Sequence, residues 1–458
     1  MRKIDMFLKR IQIEKFRVLE DVYFEFKPRF TPTIFPLGSL NGGGKSTLLQ
    51  LVFTLLHCSF NKERHQYLVN LLANFPADDK TTTLAKFDIN HNDEDFCLEF
   101  IVSANNYEGQ DFNVFLDVDE IEEKLEEHKK LQAEYSSLLE LEKDISSSKR
   151  VTPLLETQIR RYISYRELYM MVRDKNATLD DYKLVIRDLL NSYEEKINNN
   201  SELDPLLDKE KHKKSQMLES LKRNGILYIT HFDNDRVLLC KTTADIDILT
   251  KISNRVYLAA PSIQIFLFLS DEEKQKIFSK GSDYSKCISK VRSDLENFFT
   301  YDFASSGLII KAFEKARDKD FENALEFEDY DGKNLKKLKN ELNSFLYEKM
   351  ITVDKKLSKV IFKMGNAELL PEDLSHGELK KLSIYLWLKY HAIDDALVLM
   401  DEIEIALHPD WQYEIVHELQ EWSKNNQFIL ATHSYGLCEA LTPSHVIELE
   451  PKLIKESI

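Results

Sequence analysis

Residues 38–53 read "GSLNGGGKSTLLQLVF", and three of the chain's 12 glycines stand together in it, directly ahead of Lys45, Ser46 and Thr47. Glycine gives up more backbone entropy on folding than any other residue, so such a run implies a backbone that side chains would obstruct. The apolar stretch "TIFPL" (33–37) comes before it and reads as a strand; "STLLQLVFTLL" (46–56) comes after it and reads as a buried helix. Strand, glycine loop, Lys-Ser-Thr and helix form the layout of a phosphate-binding loop. Gly42, Gly43 and Gly44 let successive N–H groups converge, with Asn41 inside the loop. The helix start adds its own N–H groups and the positive end of its dipole. Lys45 is placed to reach outer phosphates, Ser46 to hold a magnesium ion and Thr47 to bond a phosphate oxygen. The usual pattern puts its first glycine at position 39. Here Ser39 stands there and Gly38 precedes it, so one of the two has to take the first turn of the loop.

Around this loop the 458 residues are enough for two or three structural units, and 43% hydrophobic residues can fill sizeable cores. No run of 18 apolar residues suggests a membrane span, and the N-terminus lacks the pattern of a signal peptide, so a cytoplasmic protein is expected. Five scattered cysteines without a C-x-x-C pair support neither a disulfide frame nor a zinc site. A net charge of −16 argues against general affinity for nucleic acid. Local basic runs exist at 209–214 ("KEKHKK") and 333–340 ("KNLKKLKN") and also read as solvated helix faces.

The pattern changes along the chain. Residues 1–116 carry strand-like segments around one helix: "RIQIEKF", "DVYFEF", "TIFPL", "LAKFDIN" and "DFCLEFIVS". Residues 117–225 are rich in Glu, Lys, Leu and Tyr. Tyr182, Ile186, Leu189, Tyr193 and Ile197 recur at helical spacing, while Leu131, Tyr135, Leu138 and Ile145 partly fit a heptad that Glu142 interrupts. This reads as a helical insertion with short coiled-coil-like pieces, turning near 197–205. A mixed strand and helical region, 226–350, precedes the C-terminal stretch 351–458.

Three further motifs lie in that stretch. In "ALVLMDEIEIALHP" (396–409) a wholly apolar run, suited to a central parallel strand, ends in Asp401 and Glu402. An aspartate there can hold magnesium and the following glutamate can take a proton from water. In "DLSHGELKKLSIYLWLKY" (373–390), Ser375, His376, Gly377 and Glu378 fit a capping box, whose exposed helix start also offers N–H groups and a hydroxyl to phosphate. In "NQFILATHSYG" (426–436) a strand ends in Thr432, His433 and Ser434, which places the histidine near a terminal phosphate.

In this order the motifs resemble the Walker A, signature, Walker B and switch-histidine elements of ABC-type ATPases. The opening "RIQIEKFRVLEDVYFEF" and the segment "DEIEIALHPDWQ" are similar to the RecF, SMC and OLD members of that group. The resemblance covers about 1–116 and 350–445. It implies an α/β ABC-ATPase head assembled from N- and C-terminal segments around an α-helical insertion. It also implies ATP and Mg2+ as ligands, and a homodimer or higher oligomer in which two ATP molecules are sandwiched. In that arrangement Ser375 and Gly377 of one protomer face the nucleotide of the other. Lys45, Ser46 and Thr47 bind phosphate and magnesium, Asp401 supports the metal, Glu402 activates water and His433 senses the γ-phosphate. His376 stands where the group usually carries a small residue. Gln110 is the candidate for the group's additional nucleotide-sensing glutamine.

Few residues follow His433, so no nuclease domain of the OLD kind is expected after it, and the insertion has no nuclease pattern. The layout resembles the ATPase subunits of bacterial anti-phage systems such as Septu (PtuA) and PARIS (AriA), which work with a separate nuclease. The implied function is an ATP-hydrolysing sensor or regulator of such a nuclease. The rival is a RecF- or SMC-like repair ATPase that binds nucleic acid itself.

Overall fold

A computed structural model describes residues 4–39, 42–73, 75, 81–147, 157–158, 178–198, 203–233, 235–277, 284–301, 305–326, 332–354 and 359–449. Along the chain the strands are β1 (Met6–Phe16), β2 (Leu19–Glu25), β3 (Ile34–Gly38), β4 (Thr82–His91), β5 (Glu94–Ala104), β6 (Asn106–Tyr107) and β7 (Gln110–Asp111). There follow β8 (Ile226–Phe232), β9 (Arg236–Lys241), β10 (Val256–Ala260), β11 (Phe298–Thr300), β12 (Met350–Val353), β13 (Val360–Met364) and β14 (Ala367–Leu369). The last three are β15 (Leu397–Asp401), β16 (Gln427–Thr432) and β17 (Ile447–Glu448).

Two six-stranded sheets organise the larger compact unit, residues 1–104 and 225–458. One runs β2-β1-β4-β5-β9-β8 and all its pairs are antiparallel. The other runs β11-β10-β15-β16-β3-β17 and all its pairs are parallel. A small sheet, β12-β13-β14, completes the unit.

The sequence pattern sets 226–350 apart from the head, but the structure joins them. β8 and β9 extend the antiparallel sheet, and β10 and β11 extend the parallel one. Strand periodicity cannot reveal this, because sheet membership depends on pairing between segments far apart in the chain. The N-terminal stretch also holds a second helix, His65–Leu72, beside the one at Lys45–Cys58.

Strand alternation explains why the parallel sheet is central. Along β15, Leu397 and Leu399 enter one hydrophobic cluster while Val398 and Met400 enter another. Side chains of successive strand residues point to opposite faces, so an all-apolar strand needs cover on both. The first cluster packs the helix Lys45–Cys58 and the antiparallel sheet against one face. The second packs helices His376–Tyr390 and Pro409–Trp422 against the other. The amide of Gln427, fully buried, stitches the sheets: Leu8 N–H donates to its Oε1 at 2.8 Å and its Nε2 donates to the Leu8 carbonyl at 2.9 Å.

The second compact unit spans residues 105–224, so it starts earlier than the change in composition at 117 suggests. The short hairpin β6–β7 belongs to it, with Gln110 Nε2 donating to Ser220 Oγ at 3.0 Å. Helices Asn113–Ser147 and Leu179–Asn198 meet through Leu138, Leu141 and Ile145 on one side and Tyr182, Val185, Ile186 and Leu190 on the other. Helix Leu203–Arg223 packs Leu207 against Val118 and Ile121. The expected turn at 197–205 lies partly outside the described residues.

Candidate functional site

Every strand of the parallel sheet ends at the same edge, and three of those ends carry the motifs. β3 ends at Gly38, β15 at Asp401 and β16 at Thr432, with β16 lying between the other two. Ligands of open parallel sheets sit beyond this carboxyl edge.

Neither Gly38 nor Ser39 takes the left-handed turn that their order in the sequence invites. Gly38 pairs as an ordinary strand residue with Thr432 and Glu448, and among the described loop residues the left-handed positions are Gly42 (φ 79°) and Gly44 (φ 87°). At Gly44 a Cβ would also lie 2.7 Å from Leu19 Cδ2 and 2.9 Å from Val18 Cγ2, so the turn after β1 seats directly on the loop. Asn41 lies outside the described residues. Gly43 is buried in the loop, and Thr47 is half-buried in the first helical turn. The helix N-cap, Gly44, makes no side-chain cap bond, and no acidic residue stands in the first turn. Among the described residues the N–H groups of this helix start therefore have no side-chain acceptor in a cap, as an anion site requires.

Lys45 is buried, and its Nζ donates to the Ser39 carbonyl at 3.1 Å and to Ser39 Oγ at 3.0 Å. Burial lowers its pKa, and the negative charges of Asp401, Glu404 and Glu402 act in the opposite direction. Burial pushes the Asp401 carboxyl up to about 6; the neighbouring Ser46 hydroxyl acts against this, and Glu402 and Glu404 push the same way as burial. Asp401 Oδ1 is buried without a hydrogen-bond partner. A hydroxyl beside an unsatisfied carboxylate oxygen fits a magnesium ion that takes its remaining ligands from phosphate and water. Among the described residues no three His, Cys, Asp or Glu side chains cluster as a self-sufficient metal cage.

Glu402 leaves the strand in a left-handed conformation (φ 51°) while its N–H still donates to the Ala431 carbonyl at 3.0 Å. His433 Nδ1 lies 3.5 Å from Lys45 Nζ. The structure thus brings together Lys45, Ser46, Asp401 and His433, with Glu402 next in the chain. It also adds a residue that motif reading missed. Glu404 is 8% exposed, its Oε1 accepts the His433 N–H at 2.6 Å, and its Oε2 is buried without a partner. The available signal was the second glutamate of Asp-Glu-Ile-Glu, two positions beyond Glu402. Gln412 is a second missed residue: its Oε1 accepts the Ser434 hydroxyl at 2.6 Å and its Nε2 donates to the Leu407 carbonyl at 3.0 Å.

The signature segment is a real helix start. Ser375 Oγ accepts the Glu378 N–H at 3.3 Å and the Glu378 carboxylate accepts the Ser375 N–H at 3.1 Å. Lys349 Nζ donates to both Glu378 carboxylate oxygens at 2.8 Å, which with the cap bonds keeps that carboxyl ionised despite its burial. Ser375 and His376 are exposed, whereas Gly377 is buried. A Cβ on Gly377 would stand 2.7 Å from the Ala406 carbonyl oxygen and 3.1 Å from the Trp411 ring. Gln110 sits in the other compact unit, bonded to Ser220.

Fold and site together resemble an ABC-type ATPase head, with a sheet completed by segments on both sides of a helical insertion. Within that class the resemblance is to ATPases of defence systems. Residues 258–439 match the family described as "AAA domain, putative AbiEii toxin, Type IV TA system". The retron Ec83 probable ATPase of Escherichia coli is 42% identical over 50 residues, 11% of this chain and 9% of that protein. The retron Vc95 probable ATPase of Vibrio cholerae serotype O1 biovar El Tor is 55% identical over 50 residues, 11% and 10% of the two chains. Septu protein PtuA of Bacillus mycoides (strain KBAB4) is 33% identical over 122 residues, 25% of this chain and 17% of that one. The matches therefore span between 9% and 17% of these relatives' own lengths. Among solved structures, the Smc head domain of Pyrococcus furiosus with an extended coiled coil aligns over 97% of this chain and 93% of that one, at 11% identity and a TM-score of 0.34. That of Pyrococcus yayanosii aligns over 97% and 95%, at 13% identity and a TM-score of 0.35.

Proposed function

We propose that this chain binds ATP with Mg2+ at the carboxyl edge of the parallel sheet, hydrolyses it, and through its nucleotide state governs a separate nuclease in anti-phage defence. The observation that carries this reading is the meeting of Lys45, Ser46, Asp401 and His433 at one edge. In this scheme Lys45 exchanges its Ser39 contacts for the outer phosphate oxygens, and the N–H groups of Gly42 to Thr47 bind the rest. Ser46 and Asp401 would hold the Mg2+, which neutralises charge on the phosphates. Glu402 accepts the proton of the attacking water, and His433, fixed by Glu404, contacts the terminal phosphate. Gln264, in the turn that follows β10, takes the nucleotide-sensing role in place of Gln110, because β10 runs parallel to and beside β15 and releases the chain at the same edge.

The second half of each site comes from another copy of the chain, through the exposed Ser375 and His376. Three lysines of the basic run at 209–214 have acidic partners: Lys211 with Glu122, Lys213 with Glu210 and Lys214 with Asp119. That pairing favours a solvated helix face for the run over direct binding of nucleic acid. No helix among the described residues is long and apolar enough to cross a membrane.

The test is phosphate release and ATP binding by the purified chain and by Lys45→Ala, with nuclease assays in parallel. Hydrolysis by the native chain and roughly 10- to 100-fold weaker ATP binding by the variant are expected, the scale of a lost charged hydrogen bond. Undiminished binding by the variant overturns the site. Nucleic-acid cleavage by the chain alone, abolished by mutating its own residues, overturns the separate nuclease.

A further inference from the structure

The helix that begins at the signature grips the turn that carries the catalytic carboxylate. Two residues on one face of it, Gly377 and Lys380, touch that turn. Gly377 has room only for a hydrogen where a Cβ would meet the Ala406 carbonyl oxygen at 2.7 Å. Lys380, 6% exposed, donates from Nζ to the Glu402 carbonyl at 2.9 Å and to the Ile405 carbonyl at 3.0 Å. The same ammonium lies 4.1 Å from the centre of the Tyr301 ring, whose π face favours a cation there.

The position held is an unusual one. Glu402 has a φ of 51°, a region costly for a side chain with a Cβ, and one that persists only when its surroundings over-determine it. The Glu402 carbonyl at this left-handed residue takes a buried side-chain donor. Lys380 is that donor. The Ile405 N–H also bonds the Glu402 carbonyl, at 3.2 Å, so the turn is closed on itself and fastened to the helix at one oxygen.

We propose that Lys380 is a positioning residue for ATP hydrolysis: its buried ammonium fixes the Glu402–Ile405 turn by two backbone carbonyls and makes the aim of the Glu402 carboxylate depend on the position of the signature helix. The inference rests on the reading of Glu402 as the group that takes the proton from water. It goes beyond that reading by linking the two ends of the head. A signature tip that engages the nucleotide of a second copy moves the helix, and through Lys380 the movement reaches the carboxylate of its own site.

The experiment uses the full chain with Mg-ATP and compares Lys380→Met, Lys380→Gln and Lys380→Arg, alone and on a Glu402→Gln background. Lys380→Met keeps the apolar stem and removes the donors. Roughly 10- to 100-fold lower kcat is expected from it, the scale of a catalytic group displaced by about 1 Å, with KM and ATP affinity within about threefold of native. Lys380→Arg should recover most of kcat, and Lys380→Gln should fall between. On the Glu402→Gln background the same changes should have no further effect on residual hydrolysis, because the group they aim is gone. A native kcat in Lys380→Gln and Lys380→Met overturns the proposal, as does a loss that multiplies with that of Glu402→Gln or appears in KM alone. If Lys380→Met does not fold, Lys380→Gln and Lys380→Arg decide by the same criteria. Native turnover by Glu402→Gln is a different result: it overturns the assignment of Glu402 itself, and the proposal with it.

Discussion

Lys45 Nζ and His433 Nδ1 stand 3.5 Å apart across 388 positions of sequence. The contact joins the first residue of the phosphate-loop helix to the residue just past β16. Glu404 joins the arrangement by accepting the backbone N–H of His433 at 2.6 Å. One cation, one imidazole and one buried carboxylate therefore share the place assigned to the terminal phosphate.

Glu404 is expected to matter through His433. Glu404→Gln keeps an acceptor for the His433 N–H and should retain most of kcat. Glu404→Ala removes it, leaves that N–H without its partner and should lower kcat roughly 10-fold, the scale of one buried hydrogen bond. Steady-state kinetics on both variants check this, and equal activity in both would remove Glu404 from the site.

Asp401 ties function to pH. Its carboxyl is raised to about 6, mainly by burial, so protonation competes with the metal as the pH falls through 6. Mg-ATP affinity should weaken below that pH and level off above it. The stability consequence has the opposite sign. A raised carboxyl pKa means the ionised form costs folding energy at neutral pH, a cost relieved as the pH falls through 6 towards the unfolded value. Asp401→Asn should therefore raise the melting temperature at neutral pH without magnesium, by about 1–3 kcal/mol of stability, while abolishing hydrolysis. A lower melting temperature for Asp401→Asn under those conditions contradicts the assignment.

Sites built from two copies predict complementation. Lys45→Ala and His376→Glu chains should each hydrolyse ATP poorly, the second because it aims a negative charge at a phosphate. Mixed, they form one composite site with both halves intact, and activity should return. Gly377 is unsuitable for this test, since any side chain there collides with Ala406 of its own chain. Absence of recovery after demonstrated subunit exchange counts against sites shared between copies.

What could be read in advance was local. The strands β1 to β5 follow from alternation and apolar runs, and the loop at 38–47 from glycines ahead of Lys-Ser-Thr. The cap at Ser375 follows from a spacing of three. Glu404, Gln412 and Lys380 were invisible because their roles are tertiary. A glutamate two residues after another, a glutamine in a helix and one lysine of an adjacent pair have no distinctive pattern until β15, β16 and the signature helix are packed. Lys380 and Lys381 show the limit plainly. They are adjacent and chemically identical, yet Lys380 binds backbone carbonyls near Glu402 while Lys381 pairs with Glu418 at 2.7 Å.

The strand order β16-β3-β17 also sets a timetable for biosynthesis. β3 leaves the ribosome long before either of its partners, Gln427–Thr432 and Ile447–Glu448. Closing so long a loop is entropically costly and slow. The nascent polypeptide therefore carries the phosphate loop without flanking strands to hold it until β16 has been made. A product of synthesis interrupted before Gln427 therefore lacks both strands that flank β3.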